Sequence, residues 1–277
     1  MDSVQMSSEK LILFDYSGTL SLEAPRFARP ENLVRVFRET GLASLGVATP
    51  ELFWEQIVGP TWVEGSTTQA GYRKVMTERI AALRLTSGTT PAQIEAAAGR
   101  FVAAYLGQSR IDPLWSPLLG RLNTESAALT VIATDHYAEA TAAIVAHLRD
   151  LAIPAMPVRQ GHGHGDSGFL VANSADLGAW KADRRFWEMV KAQLPCRSFR
   201  ELLLVDDFGR NEEAGDTYGQ REKVMTRQKG AVEVLQEAFR AEVDLFPFFL
   251  EDDSQDPDAD RARLITAATS RVEYFLN

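Results

Sequence analysis

The chain has 277 residues, 45% of them hydrophobic and 24% charged, with 19 glycines and 12 prolines. That profile excludes collagen-like, disordered and disulfide-scaffold classes, and the length suffices for one large domain or for a core domain carrying a substantial insertion. Its 38 acidic and 29 basic residues give a net charge of -9, the wrong sign for a protein that grips a phosphate backbone, so nucleic acid is set aside as a partner.

The single cysteine, Cys196, permits neither an intramolecular disulfide nor a cysteine-based zinc site and fits a reducing compartment. The opening MDSVQMSSEK has no basic start leading into an apolar run. No stretch approaches the ~20 apolar residues of a bilayer span, so the expectation is a cytoplasmic protein with no membrane partner.

In chain order, Leu11-Ile12-Leu13-Phe14 is a continuous apolar run that stops at Asp15, just ahead of Ser17-Gly18-Thr19. Bounded in this way it reads as a buried parallel strand opening into a polar loop. From 21 to 124 the pattern is helical throughout, an insertion the size of a small domain. A helix over 31–40 buries Leu33, Val36 and Phe37 and stops at Gly41; the next starts at Thr49-Pro50 and stops at Gly59-Pro60. Tyr72, Val75, Met76, Ile80 and Leu83 share one face of a third helix, and Thr90-x-x-Gln93 reads as a capping box opening a fourth, with Ile94, Phe101 and Tyr105 inward.

A second buried strand, 128–133, ends in Thr134-Asp135. It leads to a helix with Ala140, Ile144, Leu148 and Leu151 inward, a strand at 155–158, and a glycine-rich loop. A helix over 183–194, a third buried strand, 202–205, ending in Asp206-Asp207, and further helices through Phe239 complete a βαβ-type half. The acidic stretch 251–260 reads as a solvated loop ahead of a final helix.

Ligands of open α/β sheets bind outside the carboxyl ends of the strands, so the three polar strand ends are candidates for one site. Asp15, followed by Gly18-Thr19, suits a carboxylate nucleophile in a tight loop whose backbone N–H groups face an anion, or equally a plain cap at a strand end. Asp206 and Asp207 repel each other unless a cation neutralises them, and with Asp15 they form an oxygen-only set that favours Mg²⁺ over zinc or copper. Asn211 is placed to orient these ligands, and Thr134 to donate its hydroxyl to a phosphoryl oxygen. Lys181 offers a compact positive charge, although a lone lysine is more often solvated.

The ordered set Phe14-Asp15-Tyr16-Ser17-Gly18-Thr19-Leu20, Val131-Ile132-Ala133-Thr134, Trp180-Lys181-Ala182-Asp183 and Val205-Asp206-Asp207 with Asn211 resembles the four motifs of the haloacid dehalogenase-like superfamily. The resemblance implies an α/β fold: a Rossmann-like parallel-sheet core from 1–20 and 125–277, with an all-helical cap, 21–124, inserted after the first motif. It also implies phosphoryl transfer through an aspartyl phosphate. Asp15 then resembles the nucleophile, and Thr134 and Lys181 the phosphate ligands beside Gly18, Thr19 and Asp135. Asp207, supported by Asp206, resembles the Mg²⁺ ligand, with the Ser17 backbone carbonyl as a further one.

The pattern departs from the family's phosphatases at Ser17, where they carry a second aspartate that serves as general acid and base. A serine hydroxyl is a poor proton carrier near neutral pH, a loss of roughly 10²–10⁴-fold for an alkoxide leaving group. Three readings follow. One is a phosphohydrolase or phosphotransferase acting on a small phosphorylated substrate with a good leaving group, or using His136 or Asp135 as proton carrier. Another is hydrolysis of a different bond, halide or phosphonate, the latter needing Lys74 as a Schiff-base lysine. The third is a binding or regulatory protein that keeps the metal and phosphate site.

Elsewhere, His162 and His164 belong to a flexible loop rather than a thin metal site, and His147 is a hydrogen-bonded core residue. Trp54, Trp62 and Trp115 are cap residues, more often packing than pocket lining, and Arg73 is a candidate grip for a second anion. The 221–229 stretch is a solvated helix end. Monomer and homodimer both remain open.

Overall fold

The computed structural model describes residues 10–124, 128–160, 168–196, 198–212, 218–251 and 255–277. The first strand, β1 (Lys10–Asp15), is followed by helices α1 (Glu23–Phe27), α2 (Pro30–Thr40), α3 (Pro50–Leu52), α4 (Gly59–Thr67), α5 (Tyr72–Leu83), α6 (Pro91–Gln108) and α7 (Ser116–Thr124). Then come β2 (Ala128–Thr134), α8 (Glu139–Asp150), β3 (Ala155–Pro157), β4 (Phe169–Asn173), α9 (Ser174–Leu177) and α10 (Arg184–Gln193). The chain ends with β5 (Glu201–Asp206), α11 (Tyr218–Phe239), β6 (Glu242–Pro247) and α12 (Pro257–Leu276).

The six strands form one sheet in the order β3-β4-β2-β1-β5-β6, every neighbouring pair parallel. This is the Rossmann-like α/β core expected from the sequence. The continuous apolar runs of β1, β2 and β5 are accounted for by helices on both faces. One face packs Ile12, Phe14 and Ile132 against Leu118 and Leu119 of α7, Ile144 of α8 and Val272 of α12. The other packs Leu11, Leu13 and Val131 against Phe186 and Val190 of α10 and Leu235 of α11. Register places Asp15 beside Ala133 and Phe14 beside Val205, so Asp15, Thr134 and Asp206 reach the same carboxyl edge of the sheet.

The helical segment divides by packing. Residues from Phe27 to Val102 build their own apolar cluster, which takes in Tyr137 from the sheet side. Ile111, Trp115, Leu118, Leu119 and Leu122 pack instead on the sheet. Trp115 is therefore not a lining residue of the insertion: it is fully buried, edge-on to Phe14, and its indole N–H donates to the Thr19 carbonyl at 3.1 Å.

Two strands go beyond the sequence reading, β4 and the edge strand β6. Gly59-Pro60 is not a stop either. The chain passes through a π-helical turn, Phe53–Val58, into α4, and the Gly59 N–H bonds five residues back to Trp54 O. Pro60 has no N–H to place, so the ladder widens at a position where it must lose a bond anyway.

The capping box is formed: Gln93 N donates to Thr90 Oγ1 at 3.3 Å and Thr90 N to Gln93 Oε1 at 2.8 Å. Part of the acidic stretch is helix. Asp256 caps α12 through Ala259 N at 3.0 Å, and Asp258 and Asp260 lie in its first turn, where the helix dipole favours negative charge. Among the described residues, no helix is long and apolar enough to cross a membrane.

Candidate active site

The loop after β1 is tight because Gly18 has φ +80°, and a Cβ there would lie 2.5 Å from Asp207 Oδ2. Only glycine admits this turn with the Asp207 carboxylate pressed against it. Thr19 Oγ1 accepts the Asp207 N–H at 3.1 Å, tying the first loop to the end of β5. Asn211 completes the tie: its side-chain amide donates to Gly18 O at 2.7 Å and Phe248 O at 2.8 Å, and its N–H donates to Asp207 Oδ2 at 2.8 Å. Asp206 Oδ1 accepts the Phe208 N–H at 2.6 Å. The two neighbouring aspartates are thus aimed by separate backbone donors.

Asp15, Asp206 and Asp207 each offer a carboxylate oxygen, and the three atoms lie within 4.8 Å of one another. Lys181 enters from the loop before α10, its Nζ donating to Asp15 Oδ1 at 2.5 Å and to Asp206 Oδ2 at 3.0 Å. Its backbone is fixed on both sides, the N–H by Asp135 Oδ1 at 2.9 Å and the carbonyl by the Trp187 indole at 2.7 Å. Thr134 is buried at the end of β2. The four strand-end and loop motifs therefore meet, as the sheet topology requires.

One ammonium among three clustered carboxylates leaves the site short of positive charge. Burial pushes the Asp15 carboxyl up to about 8; Lys181 pulls it down, while Asp206 and Glu212 push it further up. Asp207 is raised well above the carboxylate range, by burial first and then by Asp15, Glu212 and Asp206. Burial works against the Lys181 charge, but Asp15, Asp206 and Asp135 outweigh it and hold the ammonium well above its ordinary value.

Asp15 Oδ2 is buried with no hydrogen-bond partner. An unpaired buried acceptor beside two further carboxylates fits a hard divalent cation, and an oxygen donor set without imidazole or thiolate fits Mg²⁺.

No protein-family model matches the chain, and no curated protein matches it. Solved structures do align. An L-2-haloacid dehalogenase is 10% identical, with a TM-score of 0.44 over 84% of this chain and 82% of the other. The HAD-hydrolase YfnB from Bacillus subtilis, bound to magnesium, is 18% identical, with a TM-score of 0.42 over 73% and 81%. A 2-haloacid dehalogenase from Pseudomonas syringae pv. tomato is 17% identical, with a TM-score of 0.43 over 79% and 99%. At such values the likeness carries no weight for function; the site's own geometry has to.

Several candidates from the sequence fall outside the cluster. His136 is no proton carrier for it: Nδ1 accepts the Tyr137 N–H at 2.8 Å, Nε2 meets Tyr105 Oη at 2.8 Å, and burial holds the ring neutral by lowering its pKa to about 4. With Nδ1 accepting, Nε2 carries the proton and donates to the phenol. Lys74 is exposed and pairs with Glu78, one turn on, at 3.7 Å, as a solvated surface lysine does. Arg73 is likewise exposed, near Glu95. Trp54 is largely exposed and Trp62 packs edge-on against Tyr137. His147 bonds to Leu106 O at 3.0 Å, as a hydrogen-bonded residue should. His162 and His164 lie outside the described residues.

Glu212 is the site residue that motif reading missed. Its charge acts on Asp15 and Asp207, and Ser17, at the position where the resemblance leads one to expect an aspartate, draws the Glu212 carboxyl down against the rise that burial causes. The only sequence signal for it was its place directly after Asn211.

Proposed function

We propose that the chain is a haloacid dehalogenase-like hydrolase that uses Mg²⁺ to transfer phosphate from a small phosphorylated molecule to Asp15 and then to water or another acceptor. The observation that carries the reading is the buried, unpartnered Asp15 Oδ2 within a carboxylate cluster that, among the described residues, meets the ammonium of Lys181 alone. Asp15, Asp206 and Asp207, with the Ser17 carbonyl, would hold the cation. It would supply charge neutralisation between the carboxylates and an anionic substrate.

The chain's own groups do the rest. Asp15 supplies the nucleophilic oxygen: its bond to phosphorus forms as the bond from phosphorus to the leaving oxygen breaks, and that electron pair departs with the leaving group. Water then attacks phosphorus, its proton passing to the departing phosphate, and the bond between phosphorus and the Asp15 oxygen breaks to restore the Asp15 carboxylate and release inorganic phosphate. Lys181 holds its ammonium beside Asp15 and offsets the charge on the phosphoryl oxygens, while the Thr134 hydroxyl donates to one of them. With serine at 17, the substrate is an acyl phosphate or an anhydride, whose carboxylate or phosphate leaving group departs without a proton.

Phosphate release measured with and without Mg²⁺, over substrates from acyl phosphates to sugar phosphates, tests this. Release that requires Mg²⁺, disappears in Asp15→Asn and is fastest for acyl phosphates is the expected result. Metal-independent halide release, or phosphate binding without turnover, would move the assignment to the other readings.

A further inference from the structure

A second set of directional contacts joins the helical insertion to the loops that carry the site. Glu139, at the start of α8, accepts the Tyr72 and Arg73 N–H groups at 2.6 and 3.1 Å, at the N-terminus of α5. Gln69 donates to Ala175 O at 3.0 Å and to Asp176 Oδ1 at 2.8 Å. The Trp180 indole N–H donates to Ser66 Oγ of α4 at 2.9 Å, and Ser66 is fully buried.

These contacts differ in where they lead. Glu139 and Ala175–Asp176 belong to segments that place no atom on Asp15. Trp180 immediately precedes Lys181, whose two peptide groups are already held by Asp135 and Trp187. A lysine ammonium rides on a flexible four-carbon stem, so its place between two carboxylates depends on how firmly its backbone is held.

We propose that Trp180 is a positioning residue, whose hydrogen bond to Ser66 makes docking of the helical insertion set the place of the Lys181 ammonium between Asp15 and Asp206. The effect on turnover rests on the proposed phosphoryl transfer; the effect on Lys181 does not. Trp180→Phe removes the donor and keeps an aromatic ring, Ser66→Ala removes the acceptor, and the double variant closes a cycle. Gln69→Ala removes neighbouring contacts between insertion and core without touching Trp180.

Each variant, shown to be folded by its thermal melt, is treated with an amine-acylating reagent. Acetylation of Lys181 is followed by mass spectrometry against exposed Lys74 as internal standard. Trp180→Phe and Ser66→Ala are expected to raise Lys181 labelling about fivefold each, the factor for one net hydrogen bond, with the double variant no higher and Gln69→Ala at the wild-type level. The turnover number of the phosphate-releasing reaction falls by the same factor in the same variants.

Unchanged labelling in both single variants, multiplied effects in the double variant, or an equal rise in Gln69→Ala would overturn the proposal. Wild-type protein that releases no phosphate would sink the proposed reaction and leave the labelling to decide the positioning role.

Discussion

Replacing Asp15 by asparagine is expected to stabilise the metal-free fold while abolishing turnover. The Asp15 carboxyl rises from 3.8 to about 8 on folding. The native state therefore keeps a proton that the unfolded chain has released, and stability falls as pH climbs from about 4 through about 8. At pH 7 the difference spans about three units, or roughly 4 kcal/mol, at ~1.4 kcal/mol per unit. Asparagine keeps an oxygen for Lys181 Nζ and removes the charge. Because Asp207 is pushed up by the same charge, protonation there relieves part of the strain in the wild type. The net gain is set at about 1–4 kcal/mol.

Urea unfolding in EDTA at pH 5, 6, 7 and 8 measures it. The wild type should lose stability across the series and Asp15→Asn should be flatter, with the gap widest at pH 8. Saturating Mg²⁺ should narrow the gap by stabilising the wild type more than the variant. An Asp15→Asn protein less stable than wild type in EDTA at pH 7 would refute the electrostatic argument on which the site assignment rests.

Other perturbations probe neighbouring parts of the structure. His136 has its folded value lowered from 6.5 to about 4, so its contribution is intact above 6.5 and is lost as pH falls toward 4, roughly 3 kcal/mol in all. His136→Gln should lack that acid slope in unfolding experiments, and an unaltered slope would contradict the neutral, buried imidazole. Gly18→Ala would put a Cβ 2.5 Å from Asp207 Oδ2 at φ +80°. The backbone strain is about 1–2 kcal/mol, but the displaced Asp207 should cost about 10²-fold in turnover and weaken Mg²⁺ binding by titration calorimetry. Glu139→Ala leaves the Tyr72 and Arg73 N–H groups without their cap, a loss of about 1 kcal/mol, seen as a melting point lower by about 2–4 °C.

What was legible in the sequence follows from how each element is stabilised. β1, β2 and β5 could be read because they are central strands, apolar on both faces and broken by an acid where they leave the sheet. β6 was hidden because an edge strand is half-exposed along its length, and its Glu-Val-Asp-Leu alternation is too short to stand out from a loop. β4 is fully buried, but its run is four apolar residues after a glycine-rich loop, and only its pairing with β2 and β3 separates it from a helix fragment. Trp115 looked like part of the insertion because helical periodicity carries no address. Which of two apolar clusters a helix joins is decided by the path of the chain. Asp15, Asp206, Asp207 and Lys181 were identifiable because Asp15 and Asp206 end strands, Asp207 directly follows one and Lys181 follows Trp180 in the motif; the Trp180–Ser66 contact that ties it to the insertion spans 114 residues and has no local signature.

Ser17 gains a physical rationale once its surroundings are known. Asp206 and Glu212 raise the proton affinity of Asp15, and together with Asp15 they raise that of Asp207. An aspartate at 17 would bring one more carboxylate near Glu212, whose raised proton affinity Ser17 instead lowers. Like charges at such separations destabilise by a kcal/mol or more at an effective dielectric of ~20, so serine here lowers the electrostatic strain of the metal-free site. The compensating loss is a proton donor for the leaving group. A substrate whose leaving group is already a stable anion makes that loss immaterial in the first step, though not for the attack of water in the second, and for this reason the proposed transfer to Asp15 prefers acyl phosphates and anhydrides to sugar phosphates. Ser17→Asp tests the exchange directly: it should raise turnover of alkyl phosphates more than of acyl phosphates and lower stability in EDTA. A variant that gains nothing on alkyl phosphates would show that the serine is not what limits the choice of leaving group.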